Sequence, residues 1–296
     1  MENEYICRTK KSVVMSIFVA KVLVLPQKII RRLLKLFPKH VEMSLGDLML
    51  QRADVYHLQF SVSALILDID NYCKGDKSFY YQNVSKKKYY GSEYDIQTSN
   101  KRFSDVIDSV MKDGFRSDST IETDKHVRLI DGTHRTAIMT YFGVFFFKAK
   151  IYPFSLQYYT NADAFIKDRL FDSKYVSDVW ESFGKMQQML IQRGLCFCCS
   201  YYGNNDLFTP KLETLIESNG GHIKNRIVND NKTVLQFILD NPDYKVKSGQ
   251  LESRTILRIE KDINTILPKD TLFRISHNCT QGKEIYEAET KGVFAC

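Results

Sequence analysis

The residues with the clearest chemical potential are Leu129-Ile-Asp-Gly-Thr-His-Arg135. A short apolar run ends at Asp131, Gly132 follows, and a segment with helical spacing begins at Thr133. A strand that turns through glycine into a helix aims free backbone N–H groups and the positive end of the helix dipole at one point, which suits an anion such as a phosphate. Gly132 permits a positive φ and a close approach of backbone to ligand. Thr133 can cap the helix and donate a hydroxyl, while His134 and Arg135 add donors, the guanidinium being able to grip a phosphate with two bonds. Asp131, at the strand end, suits a metal ion or a substrate hydroxyl. The same residues also admit a structural reading, in which Asp131 pins the turn and Arg135 pairs with a carboxylate.

Other residues carry weaker signals. Lys101, Arg102 and Arg116 could reach a phosphate or be solvated surface charges. Cys196-Phe-Cys-Cys199 invites a metal, but zinc sites pair two couples of ligands and no second couple exists. The competing reading is a buried strand over 194–202 that uses cysteine as a small hydrophobe. Seven cysteines at irregular spacing do not form a disulfide framework and fit a reducing, cytoplasmic setting. His277 and Cys279, two apart, could suggest thiol chemistry or simply packing. Val176, Trp180 and Phe183 read as the core stripe of a helix.

The elements that must position the turn can be traced outwards from it. Phe103, Val106, Ile107 and Val110 recur at helical spacing, and Gly114 suits the end of that helix. Thr120–Thr123 and Val127–Ile130 read as short strands joined by a polar turn at 124–126. The helix over 133–142 ends at Gly143, and an apolar strand follows over 144–152. This order of helix, Gly, strand pair, Gly-x-x-Arg loop, helix and strand resembles the ParB/sulfiredoxin superfamily over residues 55–153, about a third of the chain.

That resemblance implies a nucleotide held by its phosphates on Gly132, Thr133, His134 and Arg135, with Arg116 as a further contact. Sulfiredoxins carry a catalytic cysteine before the His-Arg pair; Thr133 stands there, which excludes that chemistry. ParB proteins bind CTP and continue into a DNA-binding helix-turn-helix, which this chain does not display. Asp131-Gly-Thr-His-Arg135 is most similar to the free serine kinase branch. By that likeness Asp131, His134 and a carboxylate before the helix, Glu93 in preference to Asp95, would be catalytic, with ATP or ADP and Mg²⁺ held at Asp131.

Charge divides the chain. Its first 40 residues hold nine Lys/Arg against two Glu, which is the whole net surplus of +7; the other 256 residues balance at 33 of each sign. A folded nucleic-acid-binding body usually carries its own basic excess, so a nucleic-acid partner is not expected. The apolar run 13–25 is shorter than the roughly 20 residues that cross a bilayer. Ile29, Ile30, Leu33, Leu34 and Phe37 share a helical face opposite Lys28, Arg31, Arg32 and Lys35. Such a helix suits an anionic membrane surface through residues 12–37, or else packs on the protein's own core.

A strand with a helical or irregular tail is expected over 55–70, followed by a long Tyr- and Lys-rich loop with short pieces of structure over 71–102. Helix is expected over 161–193, 210–218, 233–240 and 253–265, with strands at 222–228 and 272–275. The fold class expected is α+β: a basic amphipathic segment (1–40), a ParB/sulfiredoxin-like nucleotide-binding domain (41–157) and an α/β C-terminal domain (158–296). The function expected is a kinase acting on a small hydroxylated acceptor, such as a sugar or polyol in surface-polysaccharide assembly, peripheral at the inner face of the membrane. The alternatives are a non-catalytic nucleotide switch regulating DNA or a protein partner, and a membrane-associated scaffold whose loop is vestigial.

Overall fold

The structure is a computed structural model that describes residues 37–50, 56–90, 93–115, 120–155, 162–203, 205–229, 231–268 and 271–291. It is an α+β fold. The chain opens with β1 (Lys39–Ser44), a short helix α1 (Leu45–Met49), and α2 (Tyr56–Cys73), α3 (Tyr80–Tyr90) and α4 (Glu93–Asp113). Then come β2 (Thr120–Thr123), β3 (Leu129–Asp131), α5 (Thr133–Tyr141), β4 (Phe146–Ile151), α6 (Ala162–Arg169) and α7 (Ser173–Gln192).

These strands form one sheet in the order β1-β4-β2-β3, with β4 and β2 parallel and the outer pairings antiparallel. Its inner face carries Val41, Met43, Phe147, Ala149, Ile121 and Leu129, all buried in one core with α2 and α5. The outer face is polar. Register places His40, Lys150, Glu122 and Asp131 in one row across the four strands.

The second half comprises β5 (Phe197–Tyr202), α8 (Asn205–Ser218), β6 (Gly221–Asn229), β7 (Lys232–Leu239), the hairpin β8 (Tyr244–Lys247) and β9 (Gln250–Ser253), α9 (Arg254–Ile266), β10 (Leu272–Ile275) and α10 (Cys279–Thr290). Its main sheet, β10-β5-β7-β6, is antiparallel throughout. The expected α/β domain is therefore corrected to an α+β arrangement. The helix expected over 233–240 is the central strand β7, whose residues from Thr233 onward are buried on both faces. A short, nearly unbroken apolar run does not by itself separate a buried strand from a buried helix.

Two further expectations change. Residues 56–70 form part of α2 rather than a strand with a helical or irregular tail, because α5, α6 and α7 surround it and its apolar residues are needed on several sides. Phe60 meets Phe165, Phe171 and Trp180 at ring distances of 6.3, 5.4 and 5.6 Å. Residues 71–102 are largely α3 and the first half of α4. Their polar sequence hides the period, and their order comes from side-chain bonds such as Asn100 Nδ2 donating to Asn83 Oδ1 at 2.7 Å. The expected boundary at 157–158 falls between β4 and α6, yet α6 and α7 pack back onto α2. Among the described residues, no helix is long and apolar enough to cross a membrane. Residues 1–36, with the expected amphipathic segment, lie outside the described residues.

The two halves are joined at Asp47, a buried carboxylate in α1. It accepts from Ser44 Oγ at 2.9 Å, Tyr244 Oη at 2.6 Å and the Cys279 amide at 2.8 Å. Close backbone approach reinforces this junction. A Cβ on Gly46 would stand 2.1 Å from the Leu195 carbonyl oxygen, and one on Gly282 would stand 1.9 Å from that of Cys196. Asp47→Ala should lower stability by about 3 kcal/mol, because three buried donors lose their acceptor, as read by urea unfolding. Gly282→Ala should prevent native folding. Gly184→Ala, in α7 with nothing within 4 Å of the added carbon, should stabilise by about 0.5–1 kcal/mol.

Candidate functional site

The turn into α5 is built as the residue types imply, with one change. Gly132 is itself the N-cap, at φ 109°, and no side chain caps the helix. Thr133 is the first helical residue and not the cap. A β-carbon in that left-handed conformation would be strained, and it would also press on Ile121 at 3.4 Å. The cap residue therefore sets no side-chain oxygen against the first-turn amides of α5.

Arg135 is committed to the turn. One guanidinium nitrogen donates to Asp131 Oδ2 at 2.9 Å and the other to the Thr120 carbonyl. This is the structural alternative weighed for these two residues: the pair locks the ends of β2 and β3 to the start of α5. Each terminal nitrogen retains a second N–H, and the Asp131 side chain, which makes its ion pair through Oδ2, is 65% exposed.

His134 lies on the helical side of the turn. Its Nε2 is 3.1 Å from Gln82 Oε1, and its ring lies 4.7 Å from that of Phe103. It thus clamps α5 to α3 and α4. Gln82 is set in turn by Asp68, a buried carboxylate on α2 that accepts from the Tyr81 and Gln82 amides at 3.2 and 3.3 Å. Burial raises the Asp68 carboxyl from 3.8 to about 7, against the opposing effect of those amide bonds.

The register brings in two residues that sequence reasoning passed over. Glu122 is the cross-strand partner of Asp131, so the two carboxylates stand side by side on the outer face, where directly paired Cβ atoms are about 5 Å apart. The Tyr152 hydroxyl bonds to Glu122, and burial followed by the charges of Glu122 and Asp131 pushes that phenol upward. Glu122 was visible as part of a strand, but only the bulge between Glu122 and Thr123 sets it opposite Asp131.

The remaining candidates are more scattered. Glu93 opens α4, ten residues before Phe103, so the helical rise sets its backbone about 15 Å along the axis from that of Phe103, whose ring touches His134. Asp95 is exposed two residues further on, and Lys101 and Arg102 are exposed on the same helix, Lys101 paired with Asp105 at 2.9 Å. Arg116 lies outside the described residues. Cys196, Cys198 and Cys199 are buried in and beside β5, as the strand reading has it. Burial pushes the thiols of Cys196 and Cys199 up to about 12. His277 pairs with Glu260 at 3.0 Å, and burial raises the Cys279 thiol.

Comparison of the chain with protein-family models, curated proteins and solved structures gives no match.

The raised Asp68 carboxyl has a definite pH signature. Its folded pKa exceeds its unfolded value, so the stability it contributes is complete below about pH 4 and is lost as pH rises to about 7. The melting temperature should carry a component that falls over that window. Asp68→Asn should flatten it, as checked by thermal unfolding of both proteins from pH 4.5 to 8.

Proposed function

We propose that this chain is a nucleotide-dependent phosphotransferase that acts on a hydroxyl of a small molecule. The observation that carries the reading is the pairing of Asp131 with Glu122 in register beside the uncapped, glycine-led start of α5. The α5 amides receive the terminal phosphates of ATP or ADP. Asp131, with its side chain 65% exposed, would hold Mg²⁺, an ion commonly bound through one or two carboxylates together with substrate phosphates. Arg135 keeps Asp131 in place and offers its remaining N–H bonds to the transferring group.

Phosphoryl transfer needs little beyond fixed phosphates, neutralised charge and an oriented acceptor. The acceptor hydroxyl loses its proton to Glu122, a new P–O bond forms to that oxygen, and the bond from phosphorus to the nucleotide oxygen breaks. Tyr152 holds Glu122 for this task. Glu122 thus takes the role that the superfamily likeness gave to Glu93, because its strand, not a distant helix end, adjoins Asp131. His134 positions α5 through Gln82 and Phe103. The ParB/sulfiredoxin-like fold is part of the same proposal, as is an acceptor of the sugar or polyol class used in surface polysaccharides.

The second reading, a nucleotide-binding switch without turnover, draws on the ion pair that already occupies Arg135. One experiment separates the two. The purified chain is incubated with each nucleoside di- and triphosphate, Mg²⁺ and a panel of sugars, polyols and serine, and both binding and phosphorylated product are measured. Transfer that falls at least about a hundredfold in Asp131→Asn and in Glu122→Gln, with nucleotide still bound by Glu122→Gln, fits the phosphotransferase. Binding without product, unchanged by Asp131→Asn, fits the switch. No binding of any nucleotide refutes both.

We infer also that the basic segment 1–36 lies on an anionic membrane surface, keeping the chain peripheral at the cytoplasmic face. Its concentration of the net charge supports this. Flotation with anionic liposomes should capture the full chain and lose it when those residues are deleted; equal capture of both would refute the anchor.

A further inference from the structure

A cavity of about 460 Å³ opens where the two halves meet and shares Tyr152 with the Glu122–Asp131 pair. None of Gly132–Arg135 lines it. One wall is the first sheet: Lys39 at the start of β1, Tyr152 just after β4, and Lys125 with His126 on the turn between β2 and β3. The other wall is Tyr244 and Lys245 of β8 and Arg254 at the start of α9.

The charges of this cleft do not cancel. Arg254 is paired with Asp243 at 3.6 Å. Lys245 shares Glu252 with neighbouring Lys247, at 3.1 and 3.4 Å, so one carboxylate serves two ammonium groups. Lys39 and Lys125 have no ion pair among the described residues, and both line the same space. Two uncompensated ammonium groups facing one cavity repel each other and attract a dianion.

The backbone holds these groups where they are. Val127 sits at φ 61°, a left-handed conformation that a β-branched residue rarely adopts, and Asp243 sits at φ 45°. Both flank the cleft. The first is enforced by Asp124, fully buried, whose carboxylate accepts from the amides of His126 and Arg128 at 2.9 and 3.0 Å and from the Arg128 guanidinium at 2.7 Å. A buried salt bridge and a strained residue are spent on one exposed turn, and what that turn presents is Lys125 and His126. Strained residues of this kind occur at ligand clamps.

We propose that this cleft is a second site, for a small molecule bearing a phosphomonoester. The dianion lies between the ammonium groups of Lys39 and Lys125, a pair of point charges suited to phosphate. The organic part lies against the apolar rings of Phe37 and Tyr152 and against Ile151. The volume falls within the range of small-molecule pockets, about 300–1,000 Å³. Concavity and the local origin of the charge favour a small ligand over a nucleic acid, since residues 41–296 are neutral overall. The site stands whether or not the Gly132 turn transfers phosphate.

The test is isothermal titration of the full chain with glucose 6-phosphate, glycerol 3-phosphate, AMP and inorganic phosphate, each organic ester beside its phosphate-free counterpart. The expected result is a phosphomonoester bound with Kd below about 1 mM and at least about tenfold tighter than its counterpart. Lys39→Ala/Lys125→Ala should weaken it at least about tenfold without moving the melting temperature of the ligand-free protein, because both side chains are exposed and unpaired. Asp131→Asn should leave it unchanged. Three outcomes overturn the proposal: no ester binds, the double variant binds like the parent, or Asp131→Asn abolishes binding, which would move the ligand to the Gly132 turn.

Discussion

The Asp47 carboxylate is the point on which the two halves of the molecule converge. It is placed by a helix of only five residues, far too short to persist alone in water, and it is satisfied by groups 197 and 232 residues later in the chain. A buried carboxylate without donors would be expensive. Its three donors therefore constrain the angle at which the β8–β9 hairpin and α10 meet the first sheet. Gly46 and Gly282 allow the same contact by removing side chains where α1 and α10 cross the chain at Leu195 and Cys196. The cleft with Lys39 and Lys125 exists because Tyr244, which lines it, is held by Asp47 from behind.

The turn at Gly132 shows a comparable economy on a smaller scale. Arg135 bonds to a carboxylate and to a backbone carbonyl, so the residue most suited to hold a ligand also holds β2, β3 and α5 together. Asp68 extends that support outward: it orders the start of α3, which orders Gln82, which bonds to His134. The polar face of the sheet beyond the turn is left for Glu122, Asp131 and Tyr152.

What the sequence reveals is local. The turn at 129–135, the helix end at Gly114, the strand at 272–275 and the helix from Ser253 are legible because glycine, serine caps and short-range periodicity act within a few residues. The chain does not announce α3, since Tyr80–Tyr90 is polar and depends on a carboxylate in α2 for its first turn. It does not distinguish the centre of a sheet from a buried helix at 233–240, because both environments ask only for apolar side chains. Glu122 was in plain view, but its meaning lies in a register across two strands and a bulge. The cleft was least legible of all, since Lys39, Lys125 and Arg254 come from three distant segments and only the junction brings them near one another.

The long sequence separation at Asp47 also governs the order of assembly during synthesis. β1 and α1 emerge from the ribosome ahead of their partners: β1 waits for β4, and Asp47 waits for Tyr244 and Cys279. α1 packs on α7 and on α10, so part of the cover over Leu45, Leu48 and Met49 is missing until α10 has been made. Translation that stops short of α10 leaves those residues partly uncovered, so truncated products are natural clients for chaperones and proteases. The Asp47 junction is closed only once α10 has joined it.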